Sequence, residues 1–135
     1  MTYDEEMKCY EGSITIADKT VSVHLPLAEA AELPKMMSAM DKQLKGKFYE
    51  KAMQAMYSTM IKLKNEVWLG EDKDGNEEPP LTSEEFAERV TISSISFYED
   101  GSATIYCNDG DVFFGHCIVI ETDRNGIYKK SNLAG

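Results

Sequence analysis

The densest chemistry in this 135-residue chain lies between Asp109 and Ile120, in the run Asp-Gly-Asp-Val-Phe-Phe-Gly-His-Cys-Ile-Val-Ile. Two carboxylates, an imidazole and a thiol stand there beside the most apolar stretch of the molecule. Imidazole ordinarily titrates near neutrality, which makes His116 the candidate general acid or base. Asp111, Asp109 and Tyr98 are its candidate helpers, and the four together define a small hydrolase-like reading. On an extended strand, Asp111 and His116 are separated by about 16 Å of rise, so that carboxylate does not touch the ring directly. The plainer reading of His116 is an imidazole held by hydrogen bonds at a sheet edge or in the core, because one histidine makes no convergent constellation. His24 is plainer still, an exposed strand histidine alternating with Ser22 away from the apolar face.

Other chemistries fail on spacing. Cys9, Cys107 and Cys117 form no CxxC pair, and across a hairpin Cys107 and Cys117 sit about two rungs out of register. No metal centre is expected from them. There is no G-x-S-x-G elbow, no phosphate-binding loop and no dinucleotide glycine fingerprint, and no cofactor is implied. The stretch from Glu71 to Pro80 looks like a calcium loop until it is aligned. With Asp72 first, the sixth-position glycine falls on Glu77; with Gly75 sixth, the first and twelfth positions become Gly70 and Leu81. An acidic, solvated loop over residues 70–81 is the better reading.

Charge narrows the partners. The net charge is −10, unevenly laid out: Glu66 to Asp123 holds 15 acids against Lys73 and Arg89, while Lys35 to Lys64 holds seven lysines against Asp41 and Glu50. Such a field repels nucleic acid and anionic membrane, and the Lys-rich stretch has no interleaved stacking platform to overturn it. A basic protein is the partner the field allows. With 42% apolar and 28% charged residues, the chain reads as one globular domain over residues 1–135, compatible with a monomer or a dimer. Acids follow Met1 and no apolar run approaches a spanning length, so neither a secretory signal nor a membrane helix is expected. The odd, sparse cysteines fit a reducing cytoplasm.

These groups have to be positioned by an α+β fold. Residues 1–8 are polar and read as a flexible end. Ile14 and Ile16, then Val21, Val23 and Leu25, alternate with polar residues around Asp18-Lys19, which predicts an N-terminal β-hairpin with one apolar face. A helical region follows: a short turn over Leu27 to Glu32, a helix from Pro34 to Lys45 closed by Gly46, and a longer one from Lys47 to about Leu69. The last carries Phe48, Ala52, Met56, Met60, Leu63 and Val67 in one stripe. Six of the eight methionines lie on these helices, where they follow the core stripe and predict filling rather than a partner groove. Thr82-Ser83-Glu84-Glu85 is a capping box that opens a short helix to about Arg89. Beyond it, Asp100-Gly101, Asp109-Gly110 and Asn125-Gly126 mark two-residue type I′ turns between strands at Thr91 to Tyr98, Ser102 to Asn108, Asp111 to Thr122 and from Ile127. The expectation is a C-terminal four-stranded antiparallel meander with two to three helices packed on one face of the sheet.

The turn signals conflict with one another. A two-residue turn at Asp109-Gly110 puts Ile105, Phe114, His116, Ile118 and Ile120 on one face. A two-residue turn at Asp100-Gly101 sends Ser94, Ser96 and Tyr98 to that face and Ile95 and Phe97 to the other. A β-bulge at Phe114-Gly115 would reconcile the halves and re-aim His116 toward a cleft; a sheet covered on both faces is the alternative. If Asn125-Gly126 is a two-residue turn, His116 faces Gly135 and its carboxylate; a four-residue loop moves the partner to Leu133.

Asn65-Glu66-Val67-Trp68, Thr82 to Phe86, Ser94-Ile95-Ser96-Phe97-Tyr98-Glu99-Asp100-Gly101, the run Asp109 to His116 and the closing Leu133-Ala134-Gly135 carry a resemblance. Together they resemble an uncharacterised bacterial domain-of-unknown-function family with a C-terminal D-G-D-x-F-(F/W)-G-H motif. The resemblance spans most of the chain and implies no activity, so it assigns no functional residue. Small acidic cytosolic bacterial proteins of this kind are similar, by analogy, to immunity and antitoxin partners. The leading expectation is a non-catalytic protein-binding module. The alternative is a small hydrolase-like enzyme using His116 as general acid/base.

Overall fold

Alternation in the first strands gives the expected hairpin: Cys9–Ile16 (β2) and Lys19–Pro26 (β3) pair antiparallel from Ile16↔Lys19 to Cys9↔Pro26. The computed structural model describes residues 2–5, 9–16, 18–26, 33–67, 82–110, 112–113 and 115–134. Thr2–Asp4 (β1), expected to be part of a flexible end, instead pairs with Cys9 to Glu11 as an outer strand. The rings of Tyr3 and Tyr10 stand 5.0 Å apart across that pairing.

The helices follow the apolar periodicity with two departures. Leu33–Lys45 (α1) carries Pro34 in its first turn, where no donor is needed. The joint to Phe48–Val67 (α2) does not use Gly46 as its left-handed residue; Lys47 takes that conformation, at φ +52°. Its amide donates to Leu44 O and its carbonyl accepts from Glu50 N, both at 3.0 Å. On α2 the buried row runs Phe48, Ala52, Met56, Met60 and then Lys64, whereas Leu63 is only half-buried. At 1% exposure the Lys64 ammonium is out of water along with its stem, a placement that requires a partner there, and Lys64 is not without one. Met36, Met40, Met53, Met56 and Met60 are buried, so the helix methionines are core filling. Ser83–Arg89 (α3) begins at the capping box read from the sequence: Thr82 Oγ1 accepts from Glu85 N at 3.2 Å and Glu85 Oε1 from Thr82 N at 3.3 Å. The segments 27–32 and 70–81 lie outside the described residues.

Thr91–Phe97 (β4), Ala103–Asn108 (β5), Cys117–Thr122 (β6) and Tyr128–Ala134 (β7) complete one mixed sheet in the order β1-β2-β3-β4-β5-β6-β7. β3 and β4 run parallel, from Ser22↔Ser94 to His24↔Ser96. Parallel neighbours need a long crossover, and the helical region between them supplies it. The strands β4 to β7 pair antiparallel in succession, but not through three tight turns. Glu99-Asp100-Gly101 is a three-residue loop closed by Tyr98 N to Ser102 O (2.9 Å), with Gly101 at φ +91°. Arg124-Asn125-Gly126 repeats it, closed by Asp123 N to Ile127 O (2.8 Å), with Gly126 at φ +78°. Between β5 and β6 the described residues 109–110, 112–113 and 115–116 lie outside the sheet, and the third strand runs from Cys117 to Thr122.

The extra residue in the first loop removes the conflict between the halves of the sheet. Ile95 faces Ile105, Phe97 faces Ala103 and Ile105 faces Ile120, all on one side. No bulge at Phe114-Gly115 is required; the register shifts fall at Ile92/Ser94 and Glu121/Thr122. That side also carries Val21, Val23, Leu25, Cys107 and Ile118, and it packs against Phe48, Met53, Met56 and Phe86 of the helices in a single apolar cluster. Phe48 and Phe97 meet with ring centroids 5.6 Å apart. Among the described residues no helix is long and apolar enough to cross a membrane.

Candidate functional site

The loop between β5 and β6 is built around Asp109 more than around His116. Asp109 is 3% exposed, and its Oδ2 accepts from Phe113 N at 2.9 Å and Gly115 N at 3.1 Å. Its carbonyl accepts from Val112 N at 3.0 Å, which folds the chain back at once. Val112 and Phe113 are thereby driven into the core, where Phe113 meets Phe86 edge-on and Phe86 meets Tyr57 the same way, at 6.1 and 5.7 Å. Beneath the turn, Gly110 takes φ +56° against the backbone of Arg89, so close that a Cβ there would overlap the Arg89 carbonyl. Arg89 Nε and Nη2 both donate to Gly110 O, at 3.1 and 2.8 Å, tying α3 to the loop.

His116 closes the loop. It is half-buried, its Nδ1 lies 2.6 Å from Phe113 O, and its own amide reaches the same carbonyl at 3.3 Å. A carbonyl oxygen only accepts, so at this contact Nδ1 carries the proton and donates to Phe113 O. The fold thus brings His116 and Asp109 into one loop, with hydrogen bonds from each going to that loop's backbone. It does not bring Tyr98 to them. The Tyr98 hydroxyl lies 3.0 Å from Thr104 Oγ1, and the five residues from Thr104 to Asp109 span about 17 Å of strand. Asp111, Phe114 and Gly135 lie outside the described residues, and with them the pairing of His116 with a carboxylate at Gly135. Among the described residues no three His, Cys, Asp or Glu side chains are grouped to hold a metal ion.

Sequence reasoning missed a second constellation, on the face of the sheet opposite the helices. Strand pairing lines up Glu11, His24, Ser96, Thr104, Glu121 and Lys130 as one row across six strands. The neighbouring row is Ser13, Ser22, Ser94, Tyr106, Val119 and Asn132. His24 Nδ1 stands 3.6 Å from Glu11 Oε1 at one end, and Lys130 Nζ stands 3.2 Å from Glu121 Oε2 toward the other. Burial first, then the phenol of Tyr98 beside it, raises the Tyr106 hydroxyl above its ordinary pKa. The signal was present in the alternation Ser94, Ser96, Tyr98. It was masked by assigning two residues to a three-residue turn.

A model of an uncharacterized protein family conserved in bacteria (DUF2262) matches residues 1–133. The chain belongs to that family. Family membership covers nearly the whole chain and brings no activity with it. No curated protein and no solved structure gives a significant match.

Proposed function

We propose that the protein is a non-catalytic, immunity- or antitoxin-like binding module of the bacterial cytoplasm that holds a basic protein on the face of its sheet opposite α1, α2 and α3. The observation that carries this reading is the pair of polar rows crossing six strands, with small serine and threonine side chains at the centre. Six strands at about 4.8 Å spacing and roughly 20 Å length present about 600 Å², the lower end of one partner's share of an ordinary protein interface. The net charge of −10 favours a basic partner and speeds its approach. The hydrolase-like alternative is weakened because Asp109 and His116 spend hydrogen bonds on their own loop and Tyr98 is held about 17 Å along the strand.

The test is affinity capture from a bacterium carrying the gene, with three baits: the unaltered protein, Ser94→Arg/Ser96→Arg and His116→Asn. A basic protein retained by the first and third baits and lost by the second is expected. A partner indifferent to the sheet-face substitutions, or an esterase or phosphatase activity abolished in His116→Asn, overturns the reading.

A further inference from the structure

We infer that the cleft between α2, α3 and the turn end of the β2–β3 hairpin is a binding site for a small amphipathic carboxylate, an apolar chain or ring carrying one acidic head. This goes beyond the protein-binding proposal and does not depend on it, because the cleft opens on the helix side of the sheet.

The cleft lies where the turn end of the β2–β3 hairpin, the first turns of α2 and the end of α3 meet, away from the part of the sheet that α2 covers at β6 and β7. Its volume is about 1120 Å³, just above the roughly 300–1,000 Å³ that small-molecule sites occupy. The floor is apolar: Val21, Met53, Val90 and Ile92 contribute to it from β3, α2, the end of α3 and β4. Methionine adapts to irregular apolar shapes, which suits a floor that receives a flexible chain.

The rim has the opposite character to the molecule as a whole. Lys19 stands on the hairpin side and Lys47 and Lys51 on the helix side, with Glu50 the one acid lining the cleft among the described residues. Among those residues, three ammonium groups against one carboxylate make a local positive site on a protein of net charge −10. Among the described residues none of the three is within 4.0 Å of a carboxylate. Lysines bind as point charges on flexible stems, without the planar fork that arginine offers, so one compact acidic head is the complement. Lys47 adds a second sign. It occupies a left-handed backbone position that glycine would fill with less strain, although a glycine stands one residue earlier at Gly46. A side chain kept where the backbone would prefer none is a mark of use for the side chain.

The test is calorimetry with dodecanoate below its micellar concentration, read beside dodecanol (the same body without charge) and acetate (the head without a body). The methyl resonances of 13C-methionine-labelled protein report the place. Dodecanoate is expected to bind once per chain and to move the Met53 methyl while leaving Met60, buried further along α2, in place. Lys19→Gln/Lys51→Gln should weaken dodecanoate by about 2- to 30-fold, the range for two exposed ion pairs, without changing dodecanol. Both lysines are exposed, and an unchanged thermal melt confirms that the variant folds. Equal affinity for dodecanol, an unmoved Met53 methyl, or a double variant that binds as tightly as the unaltered protein overturns the inference.

Discussion

Replacing Asp109 with alanine isolates what holds the β5–β6 loop. Asp109 Oδ2 takes the amides of Phe113 and Gly115, at 2.9 and 3.1 Å, from a residue 3% exposed. Alanine leaves both donors without that acceptor. The Phe113 amide is buried, and losing a hydrogen bond to a charged group there costs about 2–3 kcal/mol; water reaches the Gly115 amide more easily, so its loss is nearer 1 kcal/mol. A total of about 3–4 kcal/mol is a large share of the roughly 5–15 kcal/mol that stabilises a domain. Asparagine keeps one acceptor oxygen of the same shape and gives up the charge, so Asp109→Asn should cost about half as much. Urea unfolding measures both: for a slope of about 2 kcal/mol per molar, the alanine midpoint falls by roughly 1.5–2 M at unchanged slope. A loss under about 1 kcal/mol in Asp109→Ala, or an asparagine variant as damaged as the alanine one, would show that the loop is held by something other than this carboxylate.

Three further outcomes are expected. Gly110→Ala should cost more than 2 kcal/mol, because the left-handed conformation alone costs about 1–2 kcal/mol and the new methyl overlaps the Arg89 carbonyl; a thermal melt within 3 °C of the unaltered protein would contradict it. Lys47→Gly should raise stability by about 1 kcal/mol by relieving the left-handed lysine, read as a higher urea midpoint. Burial, reinforced by the nearby Cys107–Cys117 repulsion, pushes the Cys107 thiol from 9.0 up to about 12. Between those values the unfolded chain has released a proton that the folded one retains, so this thiol supports stability below pH 9 and its contribution falls by about 1.4 kcal/mol per pH unit above it. Cys107→Ser should flatten that alkaline slope, measured by urea unfolding from pH 9 to 10.5.

Local patterns were legible in the residues themselves. The capping box at Thr82, the alternation of Val21, Val23 and Leu25, and the methionines of α1 and α2 each carry their structural meaning within a few positions, because a helix turn or a strand pleat has a fixed period. Dipeptides ending in glycine marked where the chain turns, since each of Gly101, Gly110 and Gly126 takes a positive φ. They did not say how many residues the turn holds. A two-residue type I′ turn and a three-residue loop closed by a left-handed glycine both favour that residue, and choosing between them requires knowing which faces must meet.

Only the tertiary structure made that choice. Three residues at Glu99-Asp100-Gly101 put Ile95 and Phe97 on the same side as Ile105 and Ile120 under the helices, and sent Ser94 and Ser96 to the opposite face. The parallel pairing of β3 with β4, the burial of Lys64 and the folding of Asp109 to His116 into a closed loop belong to the same class. Each depends on partners tens of residues away or on backbone groups that find each other only after the sheet forms. Periodicity along a chain specifies which side of an element is apolar; what that side is laid against is settled by burying all such sides at once.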